Sequence, residues 1–390
     1  MPDYPSRLGR YETTAIGGEP VRAYVPPPLP PIPPIDLAGL HVPLEQANQT
    51  LGRLDGIASV LPDPSLFLYI YIRKEALLSS QIEGTQSSLS DLLLYEAEEA
   101  PGVPIDDTRE VSSYVAAMNH GLRRLREDFP LSLRLIREIH AILLSQGRGQ
   151  DKDPGEFRRT QNWIGGTRPG NALFVPPPPH LVMDALGALE AFIHADSPDL
   201  PLLVKAALVH VQFETIHPFL DGNGRLGRLL ITFLLCERGV LREPLLYLSL
   251  FFKQNRQAYY DHLQAVREGG DWEAWVGFFL RGVTETARQG TQTAQSLLRL
   301  FGNDRARIEQ LGRPAATAMR LHQFLQRRGL TTIPDASRQL GLSQPTVTSA
   351  IGHLRKLGIV RETTGRQRGK VFVYGGFLDL LSEGTDPLPR

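Results

Sequence analysis

Two apolar runs of helical length, LLVKAALVHVQFETI (202–216) and RLGRLLITFLLCERG (225–239), meet at a single bend. That junction restricts the fold more than any other stretch. Apolar spacings of three and four on both sides leave no room for a strand next to it. The bend, HPFLDGNGRLGR (217–228), holds three glycines, a proline, a histidine, an aspartate and two arginines. GNGRLG has the spacing of a dinucleotide-binding loop, but that reading requires a preceding strand, and FETIHPFLD is not one.

Helical spacing also marks LFLYIYIRKEALLSSQIEGTQSSLSDLLLYE, with a break near Gly84 to Ser90. It marks TREVSSYVAAMNHGLRRLREDF, starting at Thr108, then SLRLIREIHAILLSQG, LVMDALGALEAFIHAD, QNRQAYYDHLQAVREG and the long segment from Asp271. Strands do not alternate with helices, so the expected class is mainly α. Two stretches differ. VRAYVPPPLPPIPPI (21–35) is proline-dense and reads as an extended arm laid over the following domain, or as an SH3-type ligand. Gln161 to Val175, with NWI and LFV around Gly-Gly and Pro-Gly turns, reads as a β-hairpin flap.

Local physics makes the bend an anion site. Gly222 and Gly224 let backbone N–H groups approach a ligand at the mouth of a helix starting near Arg225, where free N–H groups and the helix dipole favour negative charge. Arg225 and Arg228, three apart, match phosphate oxygens by their fork geometry. Asp221, an acid in a cationic site, suits a Mg²⁺ that also bridges phosphates. His217 is placed to act as general base. His210 reads as packing beneath the site rather than as a metal ligand, and His140 as a boundary histidine of a core helix.

HPFLDGNGRLGR resembles the signature of the Fic family, H-x-F-x-(D/E)-G-N-G-R-x-x-R, at all eight fixed positions. PGEFRRTQNWIGG and FVPPPP are similar to the family's flap, and QNRQAYYDHL to its adenine-side segment. The resemblance implies transfer of AMP from ATP, with Mg²⁺, to a Ser, Thr or Tyr hydroxyl of a target protein. It implies that His217 takes the hydroxyl proton and Asp221 holds the metal. The nucleotide would lie along Gly222, Asn223, Gly224, Arg225, Leu226, Gly227 and Arg228, with Arg225 on the β-phosphate and Arg228 on the γ-phosphate. Phe219 would anchor the loop, Tyr259 or Tyr260 would lie beside adenine with Asn255 near, and the flap would align a target segment.

SSQIEGT (79–85) resembles the inhibitory motif of self-restrained members, (S/T)-x-x-x-E-(G/N), through Ser79, Glu83 and Gly84. The resemblance implies that Glu83 pairs with Arg228 and occupies the γ-phosphate position.

Net charge is zero, yet residues 313–374 carry eleven basic and two acidic side chains. This segment reads as a first helix, a short helix, a turn at Gly341, a second helix capped by Ser343, and two strand-like pieces around a basic loop. The pattern resembles winged-helix domains of bacterial transcription regulators. That implies base contacts from Gln344, Thr346, Thr348, Ser349 and His353, and phosphate or minor-groove contacts from Arg366, Arg368 and Lys370, with target docking or dimerisation as the other use of such a module.

The expected organisation is an arm and inhibitory region over 1–107, a catalytic domain over 108–300, a winged helix over 308–380 and a tail over 381–390. A single cysteine, Cys236, excludes an internal disulfide and a cysteine zinc site. The expected location is the cytoplasm, without a membrane span, and a homodimer is left open. Two rivals stand beside AMP transfer. One is a DNA-binding regulator whose Fic site senses nucleotide. The other is a related transfer of another nucleotide or phosphate, or removal of AMP.

Overall fold

A computed structural model of the chain describes residues 7–387 except 17, 61–63, 97–104 and 365–368. It is mainly helical, as expected. β1 (Arg10–Ile16) and β2 (Glu19–Val25) form an antiparallel hairpin with Arg10 opposite Val25. The sequence reading had no strand before the proline arm and placed Val21–Val25 inside it. The signal is local, a Gly17–Gly18 pair between two runs containing β-branched and aromatic residues. Tyr11 and Tyr24 meet edge-on at 5.4 Å across the hairpin, and Tyr24 N–H donates to Val175 in the flap at 2.9 Å. The prolines that follow do lie over the domain. Gln212 donates to the Pro27 carbonyl, and Arg7 to those of Pro33 and Pro34.

The helical body comprises α1 (His41–Val60), α2 (Pro64–Ile82), α3 (Leu89–Glu96), α4 (Ile105–Arg126), α5 (Leu133–Leu143), α6 (Pro179–His194), α7 (Leu202–Ile216), α8 (Asn223–Glu237), α9 (Ser249–Gln254), α10 (Arg256–Gly269) and α11 (Trp272–Glu309). α4 starts three residues before Thr108, whose side chain is buried rather than capping. α7 is buried from Leu203 through Ile216, which explains why it is apolar all round and not striped. It packs on α8, and α4, α5 and α2 close the other sides of α8.

α11 is 38 residues long, lies along α1, and runs past the boundary expected near residue 300. The remaining elements are α12 (Ala315–Arg328), β3 (Leu330–Thr332), α13 (Ile333–Leu340), α14 (Gln344–Lys356), β4 (Val360–Glu362), β5 (Val371–Tyr374) and α15 (Gly375–Ser382). The strands form one antiparallel sheet in the order β3-β5-β4. Thr332 and Ser343 cap α13 and α14 through their side chains, so the turn at Gly341 stands where sequence placed it. Residues 381 and 382 belong to α15 and not to a separate tail. The Tyr374 hydroxyl donates to Asp304 of α11 at 2.7 Å, tying this module to the body. Among the described residues, no helix is long and apolar enough to cross a membrane.

Candidate functional site

The bend closes α7 and opens α8. His217 ends α7 in the left-handed region, φ 49°, and Gly222 precedes α8 with φ 78°. α8 starts at Asn223, two residues earlier than expected. Its first backbone bond runs from Leu226 N–H to Gly222 C=O, so the N–H groups of Asn223, Gly224 and Arg225 precede the ladder at the helix mouth.

Buried side chains hold the bend rigid. The Asn223 amide bonds both ways with the Phe219 backbone at 2.9 Å, so it staples the loop and its side chain does not face a ligand. Phe219 stacks on His140 at 3.7 Å, which makes it the anchor expected. His140 is more than a core boundary residue. Its Nδ1 accepts from Gly155 N–H, so Nε2 carries the proton and donates to the Asp221 carbonyl at 3.0 Å. Burial lowers its pKa to about 4, keeping it neutral and in that tautomer. Arg158 is buried and spans the bend: Nε donates to the His217 carbonyl and Nη2 to those of Pro177 and Ile216.

His217 is partly buried, and burial, with Arg267 and Arg158 nearby, holds its pKa well below the ordinary histidine value. The imidazole is therefore neutral at pH 7, the form that accepts a proton. Its Nδ1 is buried and has no well-aligned hydrogen-bond partner among the described residues. Asp221 points toward the mouth of α8; its Oδ1 accepts from Gly222 N–H at 2.6 Å.

The two arginines separate. The Arg225 guanidinium, 1% exposed, turns to Glu110 on α4 at 2.8 Å and lies 3.5 Å from Asp221, so it does not lean over the helix end beside Arg228. Arg228 Nε donates to Ser79 Oγ at 2.8 Å, and Nη2 donates to the Ser79 carbonyl at 3.0 Å and to Glu83 Oε1 at 2.8 Å. Ser79, Glu83 and Arg228 therefore meet. Burial opposes the charge on Glu83, but Arg228 outweighs it, and the carboxyl titrates below its ordinary value. Gly84 follows with φ 101° and turns the chain away.

Two carboxyls lie against one glycine face of α8. A Cβ at Gly224 would come within 2.4 Å of Glu83 Oε1, and one at Gly227 within 2.4 Å of Glu214 Oε1. Gly224 thus lets the Glu83 carboxylate sit at the helix mouth where an anion would bind. Gly227 and Leu226 lie behind that surface. Leu226 is core, and the Gly227 carbonyl accepts from His210 Nδ1–H at 3.0 Å. His210 is buried beneath the site, as expected, and its Nε2 accepts from the Tyr259 hydroxyl at 2.9 Å.

That bond and the stacking on Phe252 at 4.6 Å place Tyr259 in the core, not beside a ligand. Tyr260 is partly buried; Glu83 and Arg228 act on its hydroxyl as they do on that of Tyr259, so exposure is what separates the pair. Asn255 precedes α10, and its amide is bound to the Phe251 carbonyl.

The flap differs from a hairpin. It has one antiparallel bridge, Ile164 with Phe174, and a short 3-10 turn over Pro169–Asn171. The Asn171 side chain takes the N–H groups of Thr167 and Arg168, local bonds that replace a ladder. Leu173 at its edge is 79% exposed.

This arrangement has known counterparts. The sequence profile of the Fic/DOC family N-terminal region matches residues 42–123, and that of the Fic/DOC family matches residues 130–235. The chain carries a Fic domain. The protein adenylyltransferase Fic of Culex quinquefasciatus is 35% identical over 193 residues, 48% of this chain and 35% of that protein. Its counterpart in Drosophila grimshawi is 32% identical over 191 residues, 48% of this chain and 36% of that protein. The chain thus spans about a third of the length of these relatives. A crystal structure of a Fic family protein from Desulfovibrio desulfuricans G20 shares the fold over 88% of this chain and 98% of that one, with a TM-score of 0.57 and 19% identity.

Sequence reasoning missed five residues that shape the Fic site: Glu110, His140, Arg158, Glu214 and Arg267. Burial raises the Glu214 pKa to about 7, and Arg267 donates to the Glu214 carbonyl. Each is an ordinary polar residue in its local sequence. Only a charged residue within an otherwise apolar run, as Glu214 is in LVHVQFETI, gave a visible signal.

In the C-terminal module, Gln344 and Thr348 are exposed on α14, Thr346 is partly buried, and Lys370 lies 3.8 Å from Glu362. Thr346 is tied to Ser343, and the Thr348 hydroxyl donates to the Gln344 carbonyl. Arg366 and Arg368 lie outside the described residues. The positive excess is partly offset, since Asp335 binds Arg328 and Arg338, and Asp379 binds Arg361.

Proposed function

We propose that the Fic domain transfers AMP from ATP to a side-chain hydroxyl of a protein, and that Glu83 restrains the reaction. The observation that carries this reading is the Glu83 carboxylate bound to Arg228 against Gly224, at the anion-binding mouth of α8. A carboxylate there takes the place of a phosphate and engages the guanidinium that the γ-phosphate needs.

In the transfer, the target hydroxyl oxygen bonds to the α-phosphorus and the bond from that phosphorus to the bridging oxygen breaks. Pyrophosphate leaves and the hydroxyl proton passes to neutral His217. The N–H groups of Asn223, Gly224 and Arg225 stabilise phosphate charge at the mouth of α8. Arg225, held by Glu110 at 2.8 Å and 3.5 Å from Asp221, would have to leave that contact to serve as a second cation for the phosphates. Asp221 fits Mg²⁺: its Oδ2 is left over after Oδ1 takes the Gly222 N–H, and a phosphate-bound Mg²⁺ needs only one or two carboxylates. Such an ion would neutralise charge on the phosphates. Leu173 and the flap edge would receive the target segment, and Tyr260 would flank the base.

The test is mass spectrometry of Glu83→Gly incubated with ATP, alone and with lysate. An added adenylyl group that disappears in Glu83→Gly/His217→Ala supports the reading. A phosphoryl mass would point to a different transfer, and ATP binding without modification would point to a sensor.

A second reading concerns the C-terminal module, which we infer to be a winged helix that binds DNA. Its support is the β3-β5-β4 sheet behind α12 to α14, with Gln344, Thr348, Ser349, Arg355 and Lys356 exposed on α14. A gel shift with random duplex that weakens steeply with salt tests it. No shift at low salt assigns the module to protein docking.

A further inference from the structure

The residues just after α15 make a set of contacts that the catalytic reading does not use. Lys74 and Gln81 of α2, seven residues apart, face the same way, and Lys253 of α9 lies beside them. All three are buried. Lys74 Nζ donates to the Glu383 carbonyl at 2.8 Å. Gln81 Nε2 donates to Thr385 at 2.8 Å and to Ser87 at 2.9 Å, the latter in the turn after Glu83. Lys253 Nζ donates to Gln81 Oε1 at 2.7 Å, to the Gly384 carbonyl at 3.1 Å and to the Asp386 carbonyl.

Two buried ammonium groups therefore depend on backbone carbonyls of one four-residue segment. Such groups are costly without acceptors, and burial already lowers both pKa values to about 8. The segment is shaped to fit. Gly384 has φ 76°, and a Cβ there would come within 2.8 Å of Leu250. Thr385 is buried and its hydroxyl donates to the Ser382 carbonyl.

Gln81 lies two residues before Glu83, in the last turn of α2. α12 and α15 also touch α2, and α15 follows directly on β5.

We propose that residues 383–386 are a latch on the inhibitory helix, through which the C-terminal module sets how firmly Glu83 holds Arg228. The latch rests on the autoinhibition reading. Tension on β5 or α15 reaches the end of α2 through this segment, with no contact to nucleotide. A segment that holds one of two states sets their populations.

The test uses the full chain. Gly384→Val puts a β-branched side chain at a positive φ against Leu250 and expels the segment. Lys253→Met removes the cation and leaves the Asp386 and Gly384 carbonyls without it. Hydrogen exchange over residues 78–87 and self-labelling with radiolabelled ATP are measured for both, alone and with Glu83→Gly. The expected result is faster exchange at 78–87 in both variants, with labelling raised roughly 5- to 150-fold, the range of an ordinary coupling between sites. No further rise is expected in the Glu83→Gly background.

Unchanged exchange at 78–87 in both folded variants overturns the latch. Faster exchange without increased labelling, while Glu83→Gly is active, also overturns it. If Glu83→Gly itself does not label, the autoinhibition reading fails, and faster exchange would still support the physical latch. A variant that loses its cooperative melt is set aside in favour of the other, whose exchange decides.

Discussion

Replacing Glu83 by Gln removes the charge and keeps the shape, so it isolates the electrostatic part of the restraint. Arg228 retains both Ser79 acceptors, while its 2.8 Å bond to Glu83 Oε1 passes from a carboxylate to a neutral amide oxygen and loses the pairing of opposite charges. A hydrogen bond to a charged group contributes about 1.5–3 kcal/mol. Here the guanidinium is 2% exposed but the carboxylate side chain 29%, so water screens one end and the lower part of the range applies. A loss of roughly 1–2 kcal/mol shifts the restrained-to-free ratio by a factor of about 5–30. Initial rates of self-labelling with radiolabelled ATP should rise by that factor in Glu83→Gln and further in Glu83→Gly, which also clears the helix mouth. Rates equal to wild type in both, with ATP binding unchanged, would refute the reasoning. Because the folded pKa of Glu83 is lowered, the pair's contribution is present above the ordinary carboxylate pKa and is lost only as pH falls through the lowered value. Inhibition should therefore persist unchanged from about pH 8 to pH 5, the range above the ordinary carboxylate pKa.

His217 has a depressed pKa, so its ring stays neutral as pH falls through the ordinary histidine range near 6.5. The pH–rate profile of Glu83→Gly should be flat across that value, and a loss of rate centred there would contradict the assignment. His140→Leu removes the acceptor for Gly155 N–H and the donor to the Asp221 carbonyl. It should lower unfolding free energy by about 1–3 kcal/mol in urea titration and reduce transfer even in the Glu83→Gly background. Gly227→Ala would drive a Cβ to 2.4 Å from Glu214 Oε1, and should destabilise by about 1–3 kcal/mol, read by thermal melting. Tyr260→Ala should raise the apparent KM for ATP, whereas Tyr259→Phe should act through stability, because its hydroxyl donates to His210 at 2.9 Å in the core.

Several features could be read from the linear chain because they are local. Helical periodicity revealed the body, the caps Thr332 and Ser343 sit beside their helices, and HPFLDGNGRLGR puts histidine, acid and helix mouth within twelve residues. The Glu83–Arg228 contact joins residues 145 apart, and it was legible only because both ends sit in motifs of a known family.

What tertiary structure alone decided lies in burial and long-range pairing. Arg225 and Arg228 look equivalent in sequence, but α4 presents Glu110 to one and α2 presents Ser79 and Glu83 to the other. Tyr259 and Tyr260 are adjacent, yet the helix turns one fully into the aromatic core and leaves the other partly exposed. The segment at 383–386 carries no periodic signal. Its partners Lys74, Gln81 and Lys253 are distant in sequence, and its own share of these bonds is made by backbone carbonyls, which every residue has.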